Sequence, residues 1–162
     1  MHRLRGRSGR LRREPHEPIA GQPDQPKNVV DLTFQKGTAV TENPSPALKI
    51  ALAYHQAWTS KDLDQAMNYI SEDISCDAPA GRIKGAEAYR AFMAPFVQIL
   101  AHAHMIAAFG DEDTALVMYD TETVPVKSAP GAECLTVKDG KITHSRFLFD
   151  RAPFEAARKA QT

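Results

Sequence analysis

Between residues 45 and 100 the chain repeats apolar residues with a helical period. From Pro46 to Trp58 they recur every three or four positions, which predicts an amphipathic helix with one apolar face. A second, short helix is predicted after Ser60, which would act as its cap. A third helix is predicted from Ala86, and Pro95 should bend or divide it.

The rest of the chain alternates apolar and polar residues with the period of two that predicts β-strands. The strand-like segments are 73–77, 102–109, 114–123, 133–137 and 142–149. Asp139–Gly140 predicts a tight hairpin between the last two strands, and the Pro- and Gly-rich segment 78–85 predicts a loop. Helices that precede an antiparallel meander indicate an α+β fold rather than repeated βαβ units.

Composition divides the 162 residues into three parts. Residues 1–44 are rich in proline and polar residues, which predicts a disordered tail. Residues 45–152 form the predicted domain, and residues 153–162 are expected to be a short C-terminal helix or tail. The 43% hydrophobic and 25% charged content is ordinary for a globular protein.

The net charge of zero hides a basic arm at the N-terminus. Residues 1–13 carry six arginines and no acid, so +6 on this arm balances −6 on the rest of the chain. Such an arm attracts phosphate groups, but it lacks the aromatic residues that stack on bases. We therefore do not expect a nucleic-acid partner. A solvated tail and residues added by an upstream start codon are the alternatives.

The chain has two cysteines, Cys76 and Cys134, which is too few for a disulfide framework. No apolar run approaches the ~20 residues of a membrane span, and no secretory apolar region follows the basic arm. These features predict a protein of the reducing cytoplasm with two free thiols and no membrane partner.

Four short motifs, in this order, resemble a known superfamily. They are DLDQA at 62–66, DAPAGRIKGAEA at 77–88, DGKI at 139–142 and FD at 149–150. Together they resemble the nuclear-transport-factor-2-like (NTF2-like) superfamily and, within it, the SnoaL-like group related to polyketide cyclases and ketosteroid isomerases. The resemblance spans residues 46–152 and implies a cone in which a curved antiparallel sheet wraps helices around one pocket, usually in a homodimer. This fold hosts several chemistries, so the function must be argued from the pocket.

The resemblance places Asp77 at the position of the general-base aspartate of ketosteroid isomerases. A carboxylate in an apolar pocket can remove a proton beside a carbonyl, because burial raises its pKa. The alternative is that Asp77 ends a strand and binds loop amides in an Asx-turn. Tyr54 matches by spacing the tyrosine that donates to the enolate oxygen; its alternative is a core aromatic residue.

Two further residues are candidates for the same chemistry. Glu133 lies near the position of the second oxyanion donor, but a plain two-residue hairpin would place it opposite Arg146, on the outer face. His104 is a candidate acid or base, with a strand face or interface as the alternative. His102 and His104 share a strand face without an acidic or cysteine partner nearby in the chain, so a metal site is not expected.

The final strand indicates a largely apolar pocket. Phe147 occupies the position of the catalytic aspartate in the epoxide-hydrolase branch, which argues against that activity. The expected ligand-contacting residues are Trp58, Phe92, Phe96, Ser145, Phe147 and Phe149. Together they suit a small apolar or aromatic carbonyl compound. We expect a cofactor-free isomerase or cyclase, or else a ligand-binding or dimeric association module of the same fold.

Overall fold

The computed structural model describes residues 44–160. The predicted tail lies outside the described residues except for Pro44. Four helices and six strands follow one another along this part of the chain. They are α1 (Pro46–Thr59), α2 (Leu63–Met67), β1 (Ile70–Ala78), β2 (Gly81–Lys84), α3 (Ala86–Ile99), β3 (Leu100–Gly110), β4 (Thr114–Thr123), β5 (Ala129–Lys138), β6 (Lys141–Phe149) and α4 (Ala152–Lys159).

The six strands form one curved, unclosed sheet in the order β2-β1-β6-β5-β4-β3. Strands β1 and β6 pair in parallel, whereas all other neighbours are antiparallel. Helices α1 and α3 pack on one face, which we call the inner face. The opposite face is the outer face. This architecture confirms the predicted α+β cone.

The helices begin and end for local reasons that the sequence shows only in part. Pro46 occupies the first turn of α1, where its missing N–H costs nothing. The cap of α2 is Asp62, which accepts a 2.9 Å bond from the Gln65 amide, so the prediction of Ser60 was wrong. Helix α3 runs through Pro95 as one element, so of the two predicted effects of this proline the divided helix is wrong.

The segment predicted as a loop at 78–85 contains a short strand. β2 pairs antiparallel with β1, with Arg82 opposite Asp77. Gly81 begins β2 and Gly85 follows it, with φ of 130° and 85°, which favour glycine. The glycine spacing that resembles the family is therefore that of a hairpin, which closes one edge of the sheet and leads into α3.

A bulge in β6 sets the register of the last hairpin. Asp139 and Gly140 both have positive φ, as a two-residue turn of this type requires. Val137 pairs with Ile142 but Thr136 pairs with His144, so β6 carries one extra residue there. The shift places Glu133 opposite Phe147 instead of Arg146. The alternative of a plain hairpin is therefore wrong.

The core lies between the inner face of the sheet and the helices α1 and α3. Its largest fully buried side chains are Trp58, Tyr54, Tyr89, Tyr119, Ile74, Leu135, Ile142 and Glu133. Three tyrosines and one carboxyl group in such a list are unusual for a core, because buried polar groups require partners. Within residues 44–160, no helix has the length and apolar character that a membrane crossing requires.

Candidate functional site

The inner face holds a buried polar cluster built by five different elements. Tyr54 comes from α1, Tyr89 from α3, Tyr119 from β4, Glu133 from β5 and Ser145 from β6. All five are at most 2% exposed. We call these residues the polar cluster. The strand alternation of β5 directs Glu133 inward together with its buried neighbours Leu135 and Val137.

Glu133 has one satisfied and one unsatisfied oxygen. The Tyr119 hydroxyl donates a 2.7 Å hydrogen bond to Glu133 Oε1. Oε2 and the Ser145 hydroxyl have no well-aligned hydrogen-bond partner among the described residues. Ser145 nevertheless lies close enough to lower the pKa of Glu133. An acceptor that is buried and unpaired is costly, so Oε2 is a position where a donor from a ligand would be stabilising.

Burial gives Glu133 the protonation behaviour of a general acid or base. It raises the pKa of Glu133 to about 7, against the lowering effect of the Tyr119 bond and of the nearby Ser145 hydroxyl. At neutral pH the carboxyl group therefore exists in both forms. A group with a pKa near the working pH can both take and return a proton.

The three tyrosines are the hydrogen-bond donors of the cluster. The hydroxyls of Tyr54 and Tyr89 lie 2.7 Å apart. Burial raises the pKa of Tyr54, Tyr89 and Tyr119 well above the usual value. All three therefore stay protonated at neutral pH and can donate to a developing oxyanion. The structure thus places Tyr54 beside Tyr89 and close enough to Glu133 for the charge of the carboxylate to raise the pKa of Tyr54.

His55 borders the cluster as a neutral base. Its ring lies 4.8 Å from the Trp58 ring and 4.9 Å from the Tyr119 ring. Burial lowers the pKa of His55 to about 4, so the ring is uncharged at neutral pH. Its Nε2 has no hydrogen-bond partner in the described part of the chain.

A small cavity of about 20 Å³ lies beside the Tyr119 ring. Its lining residues are Phe96, Tyr119, Thr121, Ala129, Gly131, Phe147, Phe149 and Phe154. This volume is enough for one water molecule and far below the ~300 Å³ of a typical ligand pocket. Of the predicted ligand-contacting residues, Phe96, Phe147 and Phe149 line the cavity. Trp58 is buried against Phe96, with ring centroids 6.1 Å apart.

Gly131 makes room for Tyr119. A Cβ atom at Gly131 would lie 2.8 Å from Tyr119 Cε2 and 3.4 Å from its hydroxyl oxygen. A side chain at this position would thus press the phenol away from its place in the packed core. Gly131 therefore positions Tyr119 for its bond to Glu133.

The structure does not bring Asp77 together with Tyr54. Its strand neighbour Cys76 is fully buried on the inner face, and Asp77 points to the outer face. There its carboxylate bonds Arg82 at 2.7 Å and Arg146 at 3.4 Å. The bond from Arg82 is the main reason why the pKa of Asp77 is lowered. A carboxylate so paired is a weaker base, so this geometry does not support the predicted role.

Ser75, His144 and Asp77 form a chain of contacts on the outer face. Ser75 Oγ lies 2.9 Å from His144 Nδ1, and His144 Nε2 lies 3.5 Å from Asp77 Oδ2. The order resembles a nucleophilic triad, in which the aspartate stabilises an imidazolium. Here Arg82 and Arg146 already neutralise Asp77. The arrangement is therefore that of an ion-pair network rather than an activated serine.

His104 also lies outside the polar cluster. It is an exposed residue on β3 opposite Asp120, whose neighbour Tyr119 points inward. His104 and Asp120 therefore share the outer face. No group of three or more His, Cys, Asp or Glu within residues 44–160 is arranged to hold a metal ion.

Sequence reasoning missed three members of the site region. Tyr89 lies on the buried side of α3 and Tyr119 on the buried side of β4, where they resemble ordinary core aromatics. His55 follows Tyr54 directly, and no motif around it in the sequence indicates a functional histidine. The one available signal was that all three have polar atoms on elements that otherwise bury apolar residues.

Comparisons with known proteins agree with this architecture. The cone of helices in a curved sheet is that of the NTF2-like superfamily. The sequence profile described as a SnoaL-like domain matches residues 51–145, which is more than half of the chain, so the chain belongs to this family. No curated protein matches it significantly.

Solved structures share the fold at different levels of identity. A protein from Kribbella flavida DSM 17836 is 60% identical over 72% of this chain and 96% of its own, with a TM-score of 0.71. An NTF2-like protein of unknown function from Cytophaga hutchinsonii ATCC 33406 is 17% identical over 71% and 99%, with a TM-score of 0.59. A candidate SnoaL-like polyketide cyclase from Shewanella denitrificans OS-217 is 15% identical over 69% and 96%, with a TM-score of 0.57.

Proposed function

We propose that the protein is a cofactor-free proton-transfer enzyme whose base is Glu133, acting on a small aromatic carbonyl compound as an isomerase or cyclase. The observation that carries this proposal is the buried Tyr119–Glu133 pair, with a 2.7 Å bond to one carboxyl oxygen and none to the other from residues 44–160. The polyketide-cyclase description of a structural relative is compatible with this chemistry.

The residues of the polar cluster have complementary roles in such a reaction. Glu133 Oε2, as carboxylate, takes a proton from the carbon beside the substrate carbonyl, and the C–H electron pair moves into an enolate. A tyrosine hydroxyl donates a hydrogen bond to the enolate oxygen. Protonated Glu133 then returns the proton to a different carbon in an isomerisation. In an aldol-type ring closure the enolate carbon attacks a second carbonyl, and Glu133 returns the proton to the resulting alkoxide.

The apolar surroundings favour this chemistry over acid-base work on charged substrates. The aromatic rings of Phe96, Phe147 and Phe149 line the neighbouring cavity. Glu133 itself is only 2% exposed, so its carboxylate is shielded from water and stays a strong enough base to act on a C–H acid. Cys76 is not a competing nucleophile, because burial raises the pKa of its thiol to about 11.

The test is exchange of the α-protons of 2-tetralone in D₂O, followed by NMR. We expect the wild type to exceed the buffer rate and Glu133→Gln to lose about a hundredfold or more of the enzymatic rate, the usual weight of a general base. Asp77→Asn is the matched control, because it removes a carboxylate on the outer face of the same sheet. It should keep the wild-type rate.

The outcomes distinguish Glu133 from Asp77 as the base, and an enzyme from a ligand-binding module. Loss of exchange in Asp77→Asn with retention in Glu133→Gln would return the base role to Asp77 and refute our proposal. If wild type and both variants match buffer, the protein is instead a ligand-binding module, and the polar cluster then serves only to orient a carbonyl group.

We further propose that the protein is a homodimer through its outer face. Three large apolar side chains are exposed there, with Leu116 at 47%, Met118 at 44% and Leu148 at 60%. Arg82 and Arg146 lie on the β2–β1–β6 side of this patch. Asp120 and Glu122 lie on the β4 side. A two-fold rotation would bring the basic side of one copy onto the acidic side of the other.

Sedimentation equilibrium tests the dimer. Wild type should have twice the 17.8 kDa chain mass, and Leu148→Glu should lower it to one chain mass by placing a charge in the apolar patch. Gln56→Glu, an exposed position on α1, is the control that should leave the mass unchanged. A monomeric wild type, or a dimer that survives Leu148→Glu, contradicts this interface.

A cytoplasmic location stays a prediction; the unpaired state of Cys76 and Cys134 supports it.

A further inference from the structure

Two separate spaces lie on either side of one aromatic layer. The cavity beside Tyr119 measures about 20 Å³, and a groove between α3 and α4 measures about 390 Å³. The groove is lined by Phe92, Pro95, Phe96, Ile99, Phe149, Arg151, Phe154, Glu155 and Arg158. Phe96, Phe149 and Phe154 line both spaces. These rings are therefore the wall between the groove and the interior.

Phe154 is the part of this wall that is most easily removed. Its ring centroid lies 6.4 Å from that of Phe96 and 6.0 Å from that of Phe149, both at steep interplanar angles. Phe96 belongs to α3 and Phe149 to β6, which are held by the core and the sheet. Phe154 belongs to α4, in which no residue is buried. Local opening costs least where few apolar contacts are lost.

Two bonds near the start of α4 are local and exposed. The Asp150 carboxylate accepts a 2.9 Å bond from the Ala152 amide, and Arg151 pairs with Glu155 at 3.1 Å one helical turn later. Both stabilise the helix itself and would persist if it moved as a unit. Such a movement would keep both of these bonds and would give up the ring contacts of Phe154.

We propose that the groove and the cavity are two halves of one binding site, divided by the Phe154 ring, and that its ligand is a flat aromatic acid that takes the place of this ring. An aromatic ligand would regain the ring contacts with Phe96 and Phe149 that Phe154 gives up. The inner end of the ligand would then contact Tyr119, whose hydroxyl is bonded to Glu133. This proposal rests on the proposed function for the chemistry at the inner end.

The charged residues of the groove favour a carboxylate at the outer end of the ligand. Arg151, Glu155 and Arg158 line the groove outside the aromatic wall, and together they carry a net charge of +1. A carboxylate at the outer end of the ligand would lie beside these cations, whereas an ester would not gain this attraction. The remaining lining residues are apolar and accept the ring system.

Stopped-flow fluorescence with 2-naphthoate and methyl 2-naphthoate tests this site. Trp58 is the single tryptophan, and its ring lies 6.1 Å from Phe96, so a naphthalene ring in the opened cavity changes its emission. We expect Phe154→Ala to speed naphthoate association about tenfold, because opening no longer limits entry. Phe109→Ala, which removes a 46% exposed ring elsewhere, should leave the rate unchanged.

Comparison of the affinities for 2-naphthoate and its methyl ester tests the proposed site for the carboxylate of the ligand, which we call the acid end. Wild type should prefer the acid over the ester about fivefold, the weight of an exposed ion pair. Arg158→Gln should lose most of this preference while both compounds still bind. Equal association rates for wild type and Phe154→Ala would overturn the divided site. A preference that is absent, or unchanged in Arg158→Gln, would overturn the acid end, and no binding of either compound would overturn the ligand class.

The catalytic proposal can fail separately. Glu133→Gln should bind naphthoate with the wild-type dependence on Phe154, whether or not it exchanges protons. If Glu133→Gln exchanges 2-tetralone protons at the wild-type rate while Phe154→Ala still speeds binding, the proton-transfer role falls and the binding site stands.

Discussion

Tyr119 and Glu133 lie diagonally across β4 and β5, with the phenol donating a 2.7 Å hydrogen bond to the carboxyl group. Both are at most 2% exposed. The pair keeps an ionisable group in the core, and one of its oxygens accepts no hydrogen bond from the described part of the chain. Stability and activity should therefore depend on the same group. Four predictions concern Glu133, its partner Tyr119 and the neighbouring residues His55 and Gly131.

Glu133 should make the protein less stable as pH rises from about 4.5 to about 7. In this window the folded state keeps the proton on Glu133, whose pKa is about 7, whereas the unfolded state loses it. Deprotonation through the folded-state pKa therefore removes about 3 kcal/mol of stabilisation. Glu133→Gln should become more stable relative to wild type by about this amount between pH 4.5 and pH 8 in urea unfolding. A pH-independent difference would contradict the buried carboxyl.

His55 should act in the opposite direction. Its folded-state pKa of about 4 lies below the usual 6.5, so in this window the unfolded state binds a proton that the folded state does not. Stability from His55 is complete above pH 6.5 and falls by about 3 kcal/mol toward pH 4. His55→Gln should flatten this fall. Because the two effects oppose each other in wild type, only the single variants reveal either one.

Removal of the Tyr119 hydroxyl should destabilise the protein. Tyr119→Phe leaves Glu133 Oε1 buried without its donor, which costs about 1–3 kcal/mol. It should also raise the pKa of Glu133 further, because this bond lowers it. Tyr69→Phe is the control, since its hydroxyl makes only an exposed 3.3 Å contact with Gln65. Urea unfolding at pH 5 and pH 8 measures both effects; equal stabilities for the two variants would contradict the pair.

A side chain at Gly131 should displace Tyr119. The Cβ of Gly131→Ala would lie 2.8 Å from Tyr119 Cε2, and overpacking of this kind costs about 1–3 kcal/mol. Proton exchange on 2-tetralone should fall with it. Ala132→Ser changes the next residue of β5, which is on the outer face, and should preserve both stability and exchange. A Gly131→Ala protein with wild-type exchange would show that the position of Tyr119 does not matter.

Much of the fold could be predicted because its elements have local causes. The helical and strand periods located α1, α3 and strands β3 to β6, and Asp139–Gly140 predicted the last hairpin. β2 was missed because its four residues begin with a glycine two positions after Pro79, which is typical of a loop. Its identity as a strand depends on pairing with β1, which is not a local property.

The candidate site was less predictable because it depends on which face each side chain takes. Asp77 lies on a strand, in which successive side chains point to opposite faces of the sheet. Because the neighbouring Cys76 is buried on the inner face, Asp77 points to the outer face. The resemblance placed Asp77 at a familiar position without deciding this. Glu133 was expected at the outer face if the hairpin was regular. The extra residue in β6 instead places it opposite Phe147, on the inner face.

The amino-acid sequence by itself determined the class of fold, its family and most of its helices and strands, because these follow from short-range periodicity and turn chemistry. Only the tertiary structure decided the polar cluster. Tyr54, Tyr89, Tyr119, Glu133 and Ser145 come from five elements spread over more than ninety residues. Their meeting depends on sheet register, strand order and helix packing, none of which the local pattern around any one of them contains.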